Sequence, residues 1–212
     1  DESTWVGPIN FTTPQIPVSS FPWLDGFETG GTEWTILNGG VTNQWVVGSA
    51  TNNGGDSALY ISNDGGTSNT YTVSSYSVVH AYRDIEFPAS GAQMTLSFDW
   101  RTMGESIYDY IQVWLVPMDY VPTPGTAFAN NITATGTAPL GRVNISGNLN
   151  QQANYINFSN TIPNAYFGTS ARLVIQWRND GSAGTQPPGA IDNVMISVSN
   201  CMTPTAVIAA NV

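Results

Sequence analysis

Residues 95–101, Thr-Leu-Ser-Phe-Asp-Trp-Arg, carry the clearest structural signal in the chain. Leu96, Phe98 and Trp100 alternate with polar residues, and successive side chains of an extended strand point to opposite faces. The alternation predicts a half-exposed antiparallel strand whose apolar face meets a core. The same pattern recurs in residues 110–115, 172–178 and 193–198.

Turn-forming residues separate these segments. Glycines follow asparagine or aspartate in Asn38-Gly39-Gly40, Asn52-Asn53-Gly54-Gly55, Asn63-Asp64-Gly65-Gly66 and Asn179-Asp180-Gly181. Helical periodicity is scarce, because 21 Gly and 13 Pro interrupt most windows. Many short strands with frequent Gly and Asn turns predict an all-β fold, a two-sheet antiparallel β-sandwich of the jelly-roll type.

Composition limits the partners. The 212 residues carry a formal net charge of −10, with five Arg and no Lys. Nucleic acid and anionic membranes both require a dense cationic surface, which this chain lacks. No apolar run reaches the roughly 20 residues that cross a bilayer, so no membrane insertion is expected. A neutral glycan or a surface protein is the predicted partner, and the isolated module is predicted to be monomeric.

The chain divides into three parts. Residues 1–20 are interpreted as an N-terminal extension, 21–199 as the jelly-roll module, and 200–212 as a linker running into a truncated fibronectin type III-like domain. A surface poor in charge and rich in Ser, Thr, Asn and Gly is typical of extracellular β proteins. We therefore expect a larger exported parent protein that is secreted or displayed on the cell surface.

Few residues suit catalysis. His80 is the only histidine and Cys201 the only cysteine, which excludes multi-histidine zinc sites and intrachain disulfides. Paired carboxylates cleave sugars in many β-sandwich enzymes, and the candidate pairs are Glu105 with Asp109 and Asp84 with Glu86. Three hypotheses stay open: a non-catalytic binding module, a polysaccharide-cleaving enzyme using Glu105 and Asp109 or a tyrosine with His80, and a structural spacer.

Asp192 is the most informative carboxylate. Strand parity places it with Val194 and Ile196, so its side chain is predicted to point toward the core. A buried carboxylate is costly unless a cation or several donors satisfy it. First and last strands of a sandwich are often neighbours, which would bring Glu28 beside Asp192. Oxygen ligands alone match calcium. In the alternative reading, Glu28 caps a turn and Asp192 accepts backbone N–H groups.

Several of these motifs, in their order along the chain, resemble the MAM-like and cleaved-adhesin domains of Bacteroidetes-type secreted proteins, which are concanavalin-A-like jelly rolls. The resemblance covers Phe21 to Val198 and includes Phe27-Glu28, Trp34, the strands at 96–101, 110–115 and 173–177, and Ile191-Asp192-Asn193-Val194.

This resemblance implies a structural calcium ion held by Glu28 and Asp192, with Asp25 and Asn43 as further candidate ligands. The chain departs from the family pattern at Asn193, where a second Asp is usual, and at Gly26, where the animal modules carry an acid. The paired cysteines of the animal modules are also missing.

A ligand-binding surface is predicted if residues 95–101, 109–116 and 171–178 lie in one sheet. Sugar recognition uses aromatic planes together with planar polar side chains. The alternative is an ordinary sheet face covered by the Asn-rich segment 144–160. The predicted solvent-side residues are Asp99, Arg101, Tyr110, Gln112, Trp114, Arg172, Gln176 and Arg178.

Overall fold

A computed structural model describes residues 15–128, 137–138 and 141–199, and it contains two antiparallel sheets. Residues 1–14 and 200–212 lie outside the described residues, as do most of the predicted N-terminal extension and all of the predicted fibronectin-like segment. The strands are β1 (Trp23–Asp25), β2 (Thr35–Leu37), β3 (Gln44–Gly48), β4 (Ala58–Ser62), β5 (Ser77–Glu86), β6 (Gln93–Thr102), β7 (Tyr110–Val116), β8 (Thr137–Ala138), β9 (Arg142–Asn144), β10 (Gln152–Ile162), β11 (Ser170–Asn179) and β12 (Ala190–Ser199).

The two sheets have six strands each. Sheet I has the order β10-β6-β12-β4-β3, with β1 also paired to β12, and sheet II has the order β2-β5-β11-β7-β9-β8. Asn164–Tyr166 forms a short 3-10 turn before β11. The predicted all-β sandwich of the jelly-roll type is confirmed. None of the described residues forms a helix long and apolar enough to span a membrane.

The core lies between the sheets, and the alternating strands supply it. Leu96, Phe98 and Trp100 from sheet I are buried in one apolar cluster with Ile111, Val113, Leu115, Leu173, Ile175 and Trp177 from sheet II. The inward residues of these strands are therefore the predicted ones. Their burial removes apolar surface from water, which is the main favourable term in folding.

The outer face of sheet II is also buried, contrary to the predicted half-exposure of its strands. All seven residues of β7 are buried, as are most of β11. The covering element is residues 117–128, here called the strap. Trp114, Val116 and Val174 form a second apolar cluster there with Tyr120 and Phe128.

Hydrogen bonds fix the strap on sheet II. The Phe128 N–H donates to Gln176 Oε1 at 2.9 Å, and the Gly125 N–H donates to the Val78 carbonyl at 2.8 Å. The Asn-rich segment does not provide this cover. It contains the end of β9 in sheet II and most of β10, an edge strand of sheet I.

Strand β12 contains a β-bulge that reverses the predicted orientation of Asp192. Asp192 pairs with Asp99 and Met195 with Ser97, so the register shifts between them. Asn193 adopts a φ of 51°, the left-handed region that Asn tolerates better than most residues. Asp99 lies on the outer face, because its neighbours Phe98 and Trp100 are core residues. The prediction that Asp192 points toward the core is therefore wrong, since a bulge resets strand parity.

Candidate metal and ligand sites

Asp192 is fully buried although it lies on the outer face of sheet I. Its Oδ2 accepts a hydrogen bond from the Asn53 N–H at 2.7 Å, and its Oδ1 accepts one from the Asn193 N–H at 2.7 Å. Burial raises the pKa of Asp192, and the negative charges of Glu28 and Asp99 raise it further. The loop between β3 and β4, which carries Asn53, covers this carboxylate.

The structure brings Glu28 to Asp192, as predicted. A Cβ atom at Gly26 would lie 3.8 Å from Asp192 Oδ1, 3.9 Å from Glu28 Cγ and 3.5 Å from Asn193 Oδ1. Glu28 also accepts hydrogen bonds from the N–H groups of Asp56 and Ser57, at 3.0 to 3.2 Å. Both features of the alternative reading, a capped turn and backbone donors on Asp192, are thus present as well.

Asp99 joins this acidic group. Its Oδ2 accepts hydrogen bonds from the side-chain amides of Asn53 and Asn193, each at 3.0 Å, and its Oδ1 from that of Asn157 at 2.9 Å. Partial burial opposes ionisation, but these three donors outweigh it and lower the pKa of Asp99. The sequence predicted Asp99 as part of a ligand surface and not as part of this acidic group. Its place in the group depends on cross-strand pairing with Asp192, which cannot be read from either segment alone.

Two further predicted metal ligands have other partners. Asp25 accepts hydrogen bonds from the Phe27 N–H and the Trp34 indole N–H, both at 2.8 Å, and so closes the turn that carries Glu28. Asn43 precedes β3, at the end remote from the loop that contacts Asp192. Its amide bonds the 72–77 segment, through Thr72 and Ser77 among others. The structure does not bring Asn43 to Asp192.

A second acidic group lies at one end of sheet II. Glu105, Asp109 and Asp180 each offer a carboxylate oxygen, and within the described residues these atoms lie within 4.8 Å of one another. Asp109 is fully buried, accepting hydrogen bonds from the Tyr71 hydroxyl at 2.8 Å and the Asp180 N–H at 3.1 Å. Burial, with the charges of Asp180 and Glu105, raises its pKa to about 6. This group can hold a metal ion.

The structure divides the predicted ligand surface. Asp99 and Arg101 belong to sheet I, whereas the other six residues belong to sheet II. The strap and neighbouring side chains bury five of those six: Tyr110, Gln112, Trp114, Arg172 and Gln176. The assumption that all three segments share one sheet is wrong, because the chain crosses between sheets after β6.

A buried polar row replaces the expected open face at the centre of sheet II. Gln176 Nε2 donates to Gln112 Oε1 at 3.1 Å, and His80 Nε2 lies 3.3 Å from Gln176 Oε1. Burial lowers the pKa of His80 to about 4. Nearby, Arg172 forms an ion pair with Asp84 at 2.7 Å. These side chains bond to one another beneath the strap, whereas His80 Nδ1 is buried with no hydrogen-bond partner among the described residues.

Exposed apolar side chains remain in the connections at the end of sheet II where β11 ends. Tyr76, Ile107 and Tyr108, here called the aromatic ledge, are 50%, 41% and 39% exposed. The Arg178 guanidinium lies 5.6 Å from the centre of the Tyr110 ring and donates to the Tyr108 carbonyl. Sequence analysis missed the ledge, because its residues lie in connections and not in alternating strands.

No protein-family model matches the chain, and no curated protein does. Among solved structures, the chain is similar to the K1 cleaved adhesin domain of Lys-gingipain from Porphyromonas gingivalis, with a TM-score of 0.49 and 13% identity. That similarity covers 85% of this chain and 100% of the adhesin domain.

Two carbohydrate-binding modules are similar at the same level. The CBM22-1 xylan-binding domain from Paenibacillus barcinonensis gives a TM-score of 0.48 at 13% identity, covering 87% of this chain and 98% of that domain. TmCBM61, solved with β-1,4-galactotriose, gives 0.45 at 13% identity, covering 82% and 94% respectively. Similarity this low does not extend to ligand or activity.

Proposed function

We propose that this chain is a non-catalytic, calcium-stabilised module of a larger exported protein, acting in adhesion or carbohydrate binding. The observation that carries the proposal is the meeting of Asp192, fully buried, with Glu28 and Asp99 at the junction of the opening segment and the closing strand. Neither ion pair found in the described residues includes any of these three acids. The hydrogen-bond donors that these three acids contact in the described residues are neutral N–H groups.

The donor set fits calcium. Calcium takes six to eight oxygen ligands from carboxylates, amide carbonyls and backbone carbonyls. Two such oxygens, Asn193 Oδ1 and Asp192 Oδ1, would lie 3.5 and 3.8 Å from a Cβ atom at Gly26, and Glu28 Cγ would lie 3.9 Å from it. The opening turn and the closing strand therefore bring an amide oxygen and a carboxylate oxygen together beside Gly26. Calcium there would offset the burial of the Asp192 charge and its repulsion by Glu28 and Asp99, which together raise the pKa of Asp192.

Thermal denaturation tests the metal. With calcium at about 100 times its Kd, the melting temperature should exceed that in chelator by about 5–10 °C. Asp192→Asn should abolish this difference, whereas Glu86→Gln, an exposed acid on β5, should preserve it. Equal melting of the unmodified protein with and without calcium would overturn the proposal. A difference lost in Asp109→Asn but kept in Asp192→Asn would place the ion in the second acidic group.

The aromatic ledge is the surface that supports carbohydrate binding. Exposed tyrosine rings offer apolar faces to the C–H groups of a sugar, and Arg178 offers donors to its hydroxyls. The net charge of −10 disfavours polyanionic polymers. A neutral glycan is therefore the ligand class assigned to the ledge.

Affinity electrophoresis through gels containing neutral polysaccharides tests this ligand. Retardation should be lost in Tyr108→Ala and kept in Ile156→Ala, which removes an equally exposed side chain from β10 of sheet I. Retardation that survives Tyr108→Ala and Tyr76→Ala would remove the ledge from the proposal. No retardation by any polysaccharide would favour the hypothesis of a structural spacer. Release of reducing ends from a polysaccharide would favour the hypothesis of a polysaccharide-cleaving enzyme.

A further inference from the structure

A cavity of about 270 Å³ opens beside β1, away from the aromatic ledge. It lies between the edge strand and the turn that follows it. Three of its lining residues are acidic and the others include an aromatic and an aliphatic side chain: Asp25, Glu28 and Glu33, with Trp23, Leu24 and Thr29. No Arg contributes to the lining. The lining of the cavity thus combines negative charge with apolar surface.

The acids keep acceptor capacity for a ligand. An ionised carboxylate offers about four lone-pair sites, and Asp25 uses one hydrogen bond on each oxygen. Glu33 forms an ion pair with Arg83 at 3.0 Å, yet its side chain is 58% exposed. Arg83 offsets one of the three charges, so the cavity remains negative within a chain of net charge −10. This field attracts cations.

The apolar wall selects the kind of cation. Trp23 is half-buried, its ring 6.3 Å from that of Trp34, and Leu24 is 63% exposed. Tryptophan is the best ring for a cation–π contact, and its face also packs against methylene groups. A bare metal ion makes no use of the apolar ring for packing and is far smaller than the cavity. A cation on an apolar stem contacts both the ring and the acids.

We propose that this cavity binds an organic cation carried on an alkyl stem, namely a lysine or arginine side chain of a partner protein. The charged head meets Glu33 and Asp25, and the stem lies along Trp23. Glu28 borders both this cavity and the calcium group. The inference does not depend on calcium, but binding has to be measured with and without it.

Titration with Nα-acetyl-arginine amide and Nα-acetyl-lysine amide, followed by the indole N–H resonance of Trp23, tests the inference. That resonance is assigned from its absence in Trp23→Phe. Both probes should shift it saturably, whereas Nα-acetyl-citrulline amide, the neutral analogue of the arginine probe, should not. Titrations in calcium and in chelator should both show the shift. Glu33→Gln should weaken binding by about three- to fivefold, as expected for one surface cation contact.

Glu86→Gln, which removes an exposed acid outside the cavity, should bind like the unmodified protein. Because Glu33 is largely exposed, its replacement leaves the core intact and keeps the test valid if Trp23 variants are unstable. Equal shifts with the citrulline probe, or affinity unchanged in Glu33→Gln, would overturn the inference. Binding of glucosamine without binding of either amino-acid probe would also overturn it, in favour of an amino sugar.

Discussion

The Asp109 carboxylate is fully buried, and the carboxylates of Glu105 and Asp180 lie close to it. Its folded-state pKa of about 6 exceeds the ordinary aspartate value of 3.8, chiefly because of burial. The fold therefore favours the protonated form. The stabilising contribution is fully present below about pH 4 and is lost as the pH rises through about 6.

Asp109→Asn should therefore raise the free energy of unfolding at pH 8 in chelator, by about 1–3 kcal/mol. Asparagine keeps an oxygen acceptor but carries no charge, so the variant should also lose part of the pH dependence between pH 4 and 7. Urea denaturation at pH 5 and pH 8 measures this. If a metal ion occupies the second acidic group, the sign reverses in calcium, and Asp109→Asn is then the less stable protein. A variant less stable in chelator at pH 8 would contradict the assigned pKa.

Sequence reasoning located Asp192 and Glu28 but misjudged how they meet. The neighbourhood of opening and closing strands could be predicted, because it follows from sandwich topology. The outward orientation of Asp192 could not, since one residue in the left-handed region, Asn193, resets the alternation that the prediction relied on. The contribution of Asp99 was equally hidden, as it depends on register.

At the scale of elements, the bulge in β12 sets both a strand register and an acidic group. Asn193 holds its position by donating to the Asn53 carbonyl and to Asp99, each at 3.0 Å. Its backbone conformation costs a residue with a Cβ atom about 1–2 kcal/mol, whereas glycine adopts it freely.

Asn193→Gly and Asn193→Leu form a matched pair that separates these roles. Both lose the amide hydrogen bonds, but only leucine adds backbone strain. We expect Asn193→Leu to be the less stable of the two by about 1–2 kcal/mol in urea denaturation. Equal stability would mean that the strand straightens in the variants and that the bulge is not set by residue 193.

The strap is the second element whose role can be measured. The Phe128 ring lies 5.3 Å from the His80 ring and 5.3 Å from the Trp114 ring, so it separates both from solvent. The lowered pKa of His80, about 4, is caused mainly by this burial.

Phe128→Ala should move the pKa of His80 upward toward its ordinary value, because water gains access to the imidazole. The chain has one histidine, so an NMR titration reads this group without ambiguity. Ile156→Ala, on the other sheet, should leave the pKa unchanged. An unchanged pKa in Phe128→Ala would show that the rest of the strap suffices to exclude water.

Sequence patterns predicted most strands but not this cover. Residues 110–116, Tyr-Ile-Gln-Val-Trp-Leu-Val, are apolar on both faces apart from Gln112, and such a run is typical of a strand buried on both sides. The prediction that Trp114 faces solvent did not take this signal into account. The ledge and the cavity beside β1 were not predicted either, because turns and edge strands bring their residues together.

At the scale of the whole molecule, the sandwich could be predicted from alternation and turns, whereas sheet membership could not. Strands β6 and β7 are consecutive, yet they lie in different sheets because residues 103–109 cross from one to the other. The alternation of apolar and polar residues shows which face of a strand is apolar, but it does not show which strand lies beside it.

The chain has a net charge of −10, with five Arg and no Lys, and two of these, Arg83 and Arg172, are buried. Self-repulsion of this kind is screened by salt. In chelator, the melting temperature should therefore rise as NaCl increases from about 10 mM to about 500 mM, where the Debye length falls to about 4–5 Å. Scanning calorimetry measures the change. A melting temperature that falls with salt would mean that attractive ion pairs dominate the electrostatics.

The pairing of β1 with β12 also determines how the module would respond to tension. Trp23 faces Ile196 and Asp25 faces Val194, so the chain leaves both strands at the same end. A pull on residues 15 and 199 would first break the two hydrogen bonds between Val18 and β5, and would then separate β1 from β12 one residue pair at a time, which is the weak direction for paired strands. Once these three residue pairs have separated, the force would act on Gly26 and Asn193. An ion bound between Glu28 and Asp192 would resist further separation of the two segments there, before the core is exposed.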